Sequence, residues 1–280
     1  MSLVPVKDIL DMAVEKNTSV IAFNAIDYNT IYSVCHAAEN VGKPVLVMLY
    51  PEHHTLNRWI DPEGFAAAVK DVASTVSVPI GMHLDHCYDF NYIIRAIRAG
   101  FSCVMYDGSS LPIEENIANT RKVVDVANAF GVTVEAELGH VGFAAASEQS
   151  NLDLYTKPDV AADFIERSGC TSLAVAIGSA HGFYKETPHL QIERLAEINA
   201  ATDAPLVLHG GSGIPNDQLE EAFVNGINKF NVGTEFLQLY LDTMGEFTRN
   251  LNGRWMLDFP TYLQGVLMEY LEKKMELSKF

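Results

Sequence analysis

The chain has 280 residues, 48% of them apolar and 20% charged, with a formal net charge of −17. That length and apolar content provide for a large core, and no apolar run approaches the ~18 residues needed to span a bilayer. The acidity excludes the classes that need basic surface, namely nucleic-acid binding and attachment to anionic membranes. The first residues lack the basic start and long apolar stretch of a secretory signal, so a cytoplasmic location is expected. Cys35, Cys87, Cys103 and Cys170 lie far apart in apolar surroundings and are expected as reduced core thiols, Cys87 included although it follows His86.

Along the chain, β-rich runs alternate with helical patterns, and no linker or low-complexity tract interrupts them. Strands are predicted at 19–24, 44–50, 79–84, 103–106, 133–138, 172–177, 205–209 and 229–232. Helices are predicted between them, among others at 91–99, 113–130, 159–168, 192–199 and 216–225, from apolar residues recurring at three- and four-residue spacing. Eight such units predict an α/β fold, a (β/α)8 TIM barrel forming a single domain over 1–280, a length near the ~250 residues usual for that barrel. Enzyme sites in such barrels lie at the C-terminal ends of the strands.

The chemistry-bearing residues fall at those ends. Asp85 and His86 close the third strand, Asp107 the fourth and Glu137 the fifth. His181 follows the sixth, His209 closes the seventh, and the segment from Asn231 to Glu235 closes the eighth. Histidines ending strands on one rim suggest one metal, and three neutral imidazoles with a carboxylate nearby suit a catalytic zinc that keeps a coordination position open. Because side chains alternate along a strand, Glu135 shares a parity with Glu137, Val207 with His209, and His83 with Asp85, which aims Asp85 into the barrel.

Two loops have the composition of an anion cradle. His209-Gly210-Gly211-Ser212-Gly213 follows the seventh strand and Asn231-Val232-Gly233-Thr234-Glu235 the eighth. Barrels commonly hold phosphate there, on glycine backbone, hydroxyls and helix-start N–H groups. In so acidic a chain, a phosphate must be held by such local features.

The chain resembles the class II, metal-dependent ketose-bisphosphate aldolases, the fructose- and tagatose-bisphosphate aldolase group, over nearly its whole length. The resemblance rests on Ala22-Phe23-Asn24, His83-Leu84-Asp85-His86, Arg95-Ala96-Ile97-Arg98-Ala99-Gly100-Phe101, Asp107-Gly108-Ser109, Glu114-Glu115-Asn116-Ile117 and Val134-Glu135-Ala136-Glu137-Leu138-Gly139. It continues through Leu173-Ala174-Val175-Ala176-Ile177-Gly178 with His181-Gly182, Leu208-His209-Gly210-Gly211-Ser212-Gly213 and Asn231-Val232-Gly233-Thr234-Glu235.

The resemblance implies that His86, His181 and His209 bind one catalytic Zn2+, and that Asp85 moves the proton of the C4 hydroxyl. It implies that Asn231 contacts dihydroxyacetone phosphate, with the phosphate on Gly182, Gly210, Ser212, Gly233 and Thr234 and Lys185 at its edge; Asn24 and Gly211 belong to the same substrate site. Asp107 and Glu137 are candidates for a second metal position, taken by a further divalent or a monovalent cation, or for support of the first. The reaction that the resemblance implies is reversible cleavage of a ketose phosphate, fructose or tagatose 1,6-bisphosphate by default, into dihydroxyacetone phosphate and an aldehyde. The partners implied are a small sugar phosphate and further copies of the chain, as a homodimer or homotetramer. A zinc ion at the ketose carbonyl would stabilise the charge developing beside it, so the resemblance implies no lysine imine.

The sequence departs from the family pattern where the aldehyde half would bind. The Gly-Gly-x-Glu loop that supplies the family's proton donor is replaced by Gly142-Phe143-Ala144-Ala145-Ala146-Ser147-Glu148, which leaves as the acid either Glu148 on a shifted loop or a group from elsewhere. Aligned on Tyr262, Gln264 stands where an arginine for the distal phosphate is usual. Asp27 replaces a second asparagine, and Leu49-Tyr50-Pro51 a small hydroxyl segment. Three readings follow: a bisphosphate aldolase; the same chemistry on a ketose phosphate ending in carboxylate, sulfonate or hydroxyl, or an epimerase; and a non-catalytic partner of an aldolase. His83 is expected to support the ligands from behind or to pack rather than to bind the ion, and His36, His53, His54, His140 and His189 are expected as ordinary surface or core histidines.

Overall fold

Strands covered on both faces read as near-continuous apolar runs, and here they close on themselves. In the computed structural model, which describes residues 2–51, 61–139, 155–182, 184, 187–250, 253 and 255–280, eight parallel strands form a closed barrel in sequence order. They are β1 (Val20–Asn24), β2 (Val45–Leu49), β3 (Ile80–Cys87), β4 (Cys103–Tyr106), β5 (Thr133–Leu138), β6 (Ser172–Val175), β7 (Leu206–Leu208) and β8 (Ile227–Val232), with β8 pairing back onto β1. Ten α-helices are found among the described residues: α1 (Val6–Glu15), α2 (Tyr28–Val41), α3 (Pro62–Ala73), α4 (Phe90–Ala99), α5 (Ile113–Asn128), α6 (Pro158–Ser168), α7 (Ile192–Ala201), α8 (Asn216–Val224), α9 (Thr234–Arg249) and α10 (Phe259–Met275).

Local chemistry sets several boundaries. Asp27 caps α2 by accepting from the Thr30 N–H at 2.8 Å, and Asp89 caps α4 through Asn91 and Tyr92. Both helices end on glycines in the left-handed region, Gly42 at φ 67° and Gly100 at φ 105°. The predicted strands are all present, with shifted ends. The largest difference is β3, which runs three residues further, to Cys87. Its register against β4 slips between Leu84 and Cys87, and His86 has φ 42°. Such a bulge lets consecutive side chains, here Asp85 and His86, both face the rim instead of alternating across the sheet.

The core has two parts. Between strands and helices lies the larger cluster, with Phe23, Phe65, Phe101, Phe164 and Phe223 buried. Inside the barrel, Val20, Ala22, Leu46, Met48 and Cys103 meet Val6, Ile9 and Leu10 of α1, which plugs the N-terminal end. Gly81 makes the plug possible, since a Cβ there would lie 2.4 Å from Leu46 Cδ2 and 2.9 Å from Val6 Cγ2. All four cysteines are free and buried.

Further up the barrel the interior turns polar. Lys229, Glu135 and His83 are fully buried, with Lys229 Nζ 2.9 Å from Glu135 and 3.4 Å from His83 Nε2. Removing one partner of a buried ion pair strands the other charge. Lys229→Met is therefore expected to destabilise the fold by about 3–5 kcal/mol in denaturant titration. A loss below about 1 kcal/mol would show that Glu135 carries no charge there.

Candidate active site

Inward parity on β1, β3 and β8 brings Asn24, Asp85 and Asn231 together. Asp85 is 3% exposed and accepts from Asn24 Nδ2 at 2.8 Å and Asn231 Nδ2 at 3.0 Å. Burial alone would raise its carboxyl, but the positive charge of His86, His209 and Lys229 outweighs burial and holds it below the ordinary carboxylate range. Asn231 Oδ1 is left buried with no hydrogen-bond partner.

His86, His181 and His209 come from three different strand ends, and each offers a ring nitrogen within 4.8 Å of those of the others. Each ring is held differently. His86 Nδ1 lies 2.8 Å from Asp107 Oδ2, whose other oxygen accepts from Ser109 N and Oγ. His209, fully buried, lies between Glu137 Oε2, 3.0 Å from Nδ1, and Glu135 Oε1, 3.1 Å from Nε2. Burial works against charge on His86, yet Asp85, the Asp107 hydrogen bond and Glu137 together push it up to about 10. His181 goes the other way, lowered to about 4 by burial and by the neighbouring His86 and His209. A second group that could hold an ion, His86, Asp107 and Glu137, shares a member with the first. His83 sits below, lowered to about 3 by burial and Lys229, and is in neither group.

A cavity of about 350 Å³ opens over these residues. Its wall includes Asn24, Asp85, His86, Asp107, Glu137, His181 and Asn231, together with Gly182, Gly210, Gly211, Ser212, Gly233 and Thr234. The glycines are needed where the chain crowds. A Cβ on Gly211 would lie 1.9 Å from the Phe230 ring, and one on Gly233 2.6 Å from Asn24 Oδ1. Ser212 Oγ accepts from the N–H of Glu235 in the first turn of α9, tying the two glycine loops together. Lys185 and Glu148 lie outside the described residues, as do His53, His54 and His140. Gln264 donates to Asn29 Oδ1 at 3.1 Å and is not among the described residues lining the cavity. His189 is exposed, and His36 stacks on Tyr32 with 4.0 Å between ring centres.

Sequence reasoning passed over Tyr88 and Leu237, which also line the cavity, and gave Tyr50 no site role. Tyr88, 68% exposed, had one available signal: a large aromatic immediately after a strand that carries site residues.

The class-II fructose-bisphosphate aldolase family matches residues 4–278. The chain belongs to that family. Its relatives include a protein of Bacillus subtilis (strain 168) named a probable fructose-bisphosphate aldolase, 38% identical over 84% of this chain and 82% of its own length. A sulfofructosephosphate aldolase of Alkalicoccus urumqiensis is 34% identical over 87% and 85% respectively. Among solved structures, the YdjI aldolase of Escherichia coli K12 superposes with a TM-score of 0.88, at 31% identity, covering 99% of this chain and 97% of that one. Class-II aldolase membership makes the chain a lyase with ketose-phosphate aldolase chemistry, and its barrel is the aldolase TIM barrel. No described helix is long and apolar enough to cross a membrane.

Proposed function

We propose that this class-II aldolase is zinc-dependent and reversibly splits a ketose phosphate between C3 and C4 into dihydroxyacetone phosphate and an aldehyde. The observation that carries this reading is Asp85, buried and held by two asparagine amides beside three converging imidazoles. Three histidine nitrogens, from β3 and from the segments that follow β6 and β7, with carboxylates beside two of the rings, are a donor set that suits zinc with one position left for substrate. His86, His181 and His209 would hold the ion. When bound, it supplies positive charge to the ketose carbonyl, which stabilises the electron pair left on C3 when the bond breaks.

The remaining roles belong to side chains and backbone. Asp85, kept ionised, takes the C4 hydroxyl proton during cleavage and returns it during condensation. Dihydroxyacetone phosphate forms once C3 takes up a proton from a separate acid, the role for which the sequence offers Glu148, outside the described residues. Asn24 and Asn231 hold its carboxylate in place, and the unpartnered Asn231 Oδ1 offers an acceptor to a hydroxyl of the dihydroxyacetone half. The loops around Gly210 to Ser212 and Gly233 to Thr234, with Gly182, present backbone and hydroxyl donors to the phosphate.

Fructose and tagatose 1,6-bisphosphate are the default substrates. A ketose phosphate ending in a sulfonate is the second reading, favoured by the sulfofructosephosphate aldolase at 34% identity. The described cavity wall contains no lysine or arginine, while Asp85, Asp107 and Glu137 line it. A distal dianion finds no charge-assisted partner among those residues. The test is kcat/KM for both bisphosphates, the sulfonate analogue and fructose 1-phosphate. Dihydroxyacetone phosphate release is expected, with a bisphosphate preference over fructose 1-phosphate below about a hundredfold. A larger preference would require a cation at the distal end.

A further inference from the structure

A single hydroxyl joins the loops that follow β6 and β7. Tyr184 Oη accepts from the Ala180 N–H at 2.6 Å and donates to the Gly210 carbonyl at 2.8 Å. Ala180 immediately precedes His181, and Gly210 immediately follows His209. The loops run in close contact, since a Cβ on Gly210, at φ 66°, would lie 2.3 Å from the Ala180 oxygen. Yet among the described residues no backbone hydrogen bond joins 179–182 to 209–213. Burial pushes the phenol up to about 12, so it stays neutral and can donate and accept at once.

We propose that Tyr184 is a positioning residue that sets the affinity of the site for the phosphate-bearing half of the substrate. The proposal rests on the reading of these loops as the phosphate cradle. An oxyanion is bound well only where several donors converge, and the peptide groups around Gly182 and Gly210 converge only while their loops keep their spacing. The phenol fixes that spacing from behind. Metal binding depends on it less, because two of the three imidazoles are held from elsewhere: Asp107 holds His86, and either Glu135 or Glu137 can hold the His209 nitrogen that the ion does not take.

Tyr184→Phe keeps the ring, which packs so near Gly213 that a Cβ there would be 3.3 Å from Tyr184 Cδ2, and removes both hydrogen bonds. Ala180 N–H and the Gly210 carbonyl then lose a partner, a cost that relaxation of the loops would relieve. The comparison variant is Tyr240→Phe, which removes another tyrosine hydroxyl bond, to Asp27 Oδ2 at 2.9 Å, outside the cradle.

The experiment uses the zinc-loaded full chain. Calorimetry measures binding of dihydroxyacetone phosphate and of inorganic phosphate, and steady-state assays measure cleavage of the best ketose phosphate. In Tyr184→Phe, Kd for dihydroxyacetone phosphate and KM are expected to rise about tenfold or more, with kcat within about threefold and zinc content unchanged. Tyr240→Phe is expected to match the parent. Parent-like Kd in Tyr184→Phe overturns the proposal. So does a variant that fails to fold or loses zinc together with phosphate binding, since that would make Tyr184 a structural residue only. If the parent itself does not bind dihydroxyacetone phosphate, the aldolase reading of the cradle falls, and the role of Tyr184 falls with it.

Discussion

Asp85→Ala is expected to lower the turnover of ketose phosphate cleavage about 10²-fold or more while leaving zinc content near that of the parent. Proton transfer by a positioned group contributes roughly 10²–10⁴-fold, and Asp85 has the attributes of such a group. It is buried beside the histidines, its carboxyl is held ionised against the pull of burial, and both oxygens are oriented by asparagine amides. The carboxylate lies 3.9 Å from the nearest His86 nitrogen and belongs to neither set of groups that could hold an ion, so its removal spares the donors. Asn24 and Asn231 lose their acceptor, which adds a modest rise in KM. Steady-state rates together with metal analysis check this. Turnover within a few-fold of the parent would move the proton transfer to another residue.

His209→Ala is expected to weaken zinc binding by at least about 10²-fold, more than the 10–100-fold typical of losing a group that merely supports a ligand. The imidazole is fully buried between Glu135 and Glu137, so truncation removes a nitrogen donor and leaves two carboxylates facing a void. Competition against a chromophoric chelator gives the affinity. The same titration separates the two donor sets of the rim. If zinc affinity falls less than about tenfold, the ion is held by His86, Asp107 and Glu137, which His209 does not enter.

Much of this architecture was legible because β-strand periodicity is strict. The shared parity of Glu135 with Glu137 and of His83 with Asp85 carried directly into inward-facing side chains, and the eight predicted strands are the eight of the barrel. Periodicity fails where the backbone departs from it. Alternation places Asp85 and His86 on opposite faces, and only the register slip after Leu84, with His86 at φ 42°, turns both toward the site.

Long-range partners were equally hidden. Lys229 lies in β8, and nothing in that strand's sequence shows that Glu135 and His83 meet it across the barrel. Tyr184 stands in a loop, and the Gly210 carbonyl that its hydroxyl donates to is 26 residues away. Gln264 was placed at the distal end of the substrate by its position in the alignment, whereas the structure gives its amide to Asn29 at the start of α2. A helix-borne side chain can turn to a neighbouring helix as readily as to the cavity, and one residue letter does not distinguish the two.

Zinc-dependent cleavage is tested most directly by stripping the protein with chelator and following dihydroxyacetone phosphate release from fructose 1,6-bisphosphate, tagatose 1,6-bisphosphate and the sulfonate-ended ketose phosphate before and after zinc is returned. The expected result is no release from the stripped protein, restored release with about one zinc per chain, and no covalent trapping by borohydride, the outcome for a metal-dependent cleavage without a lysine imine. Release that survives complete metal removal, or none from any of the three substrates at full zinc occupancy, would contradict it.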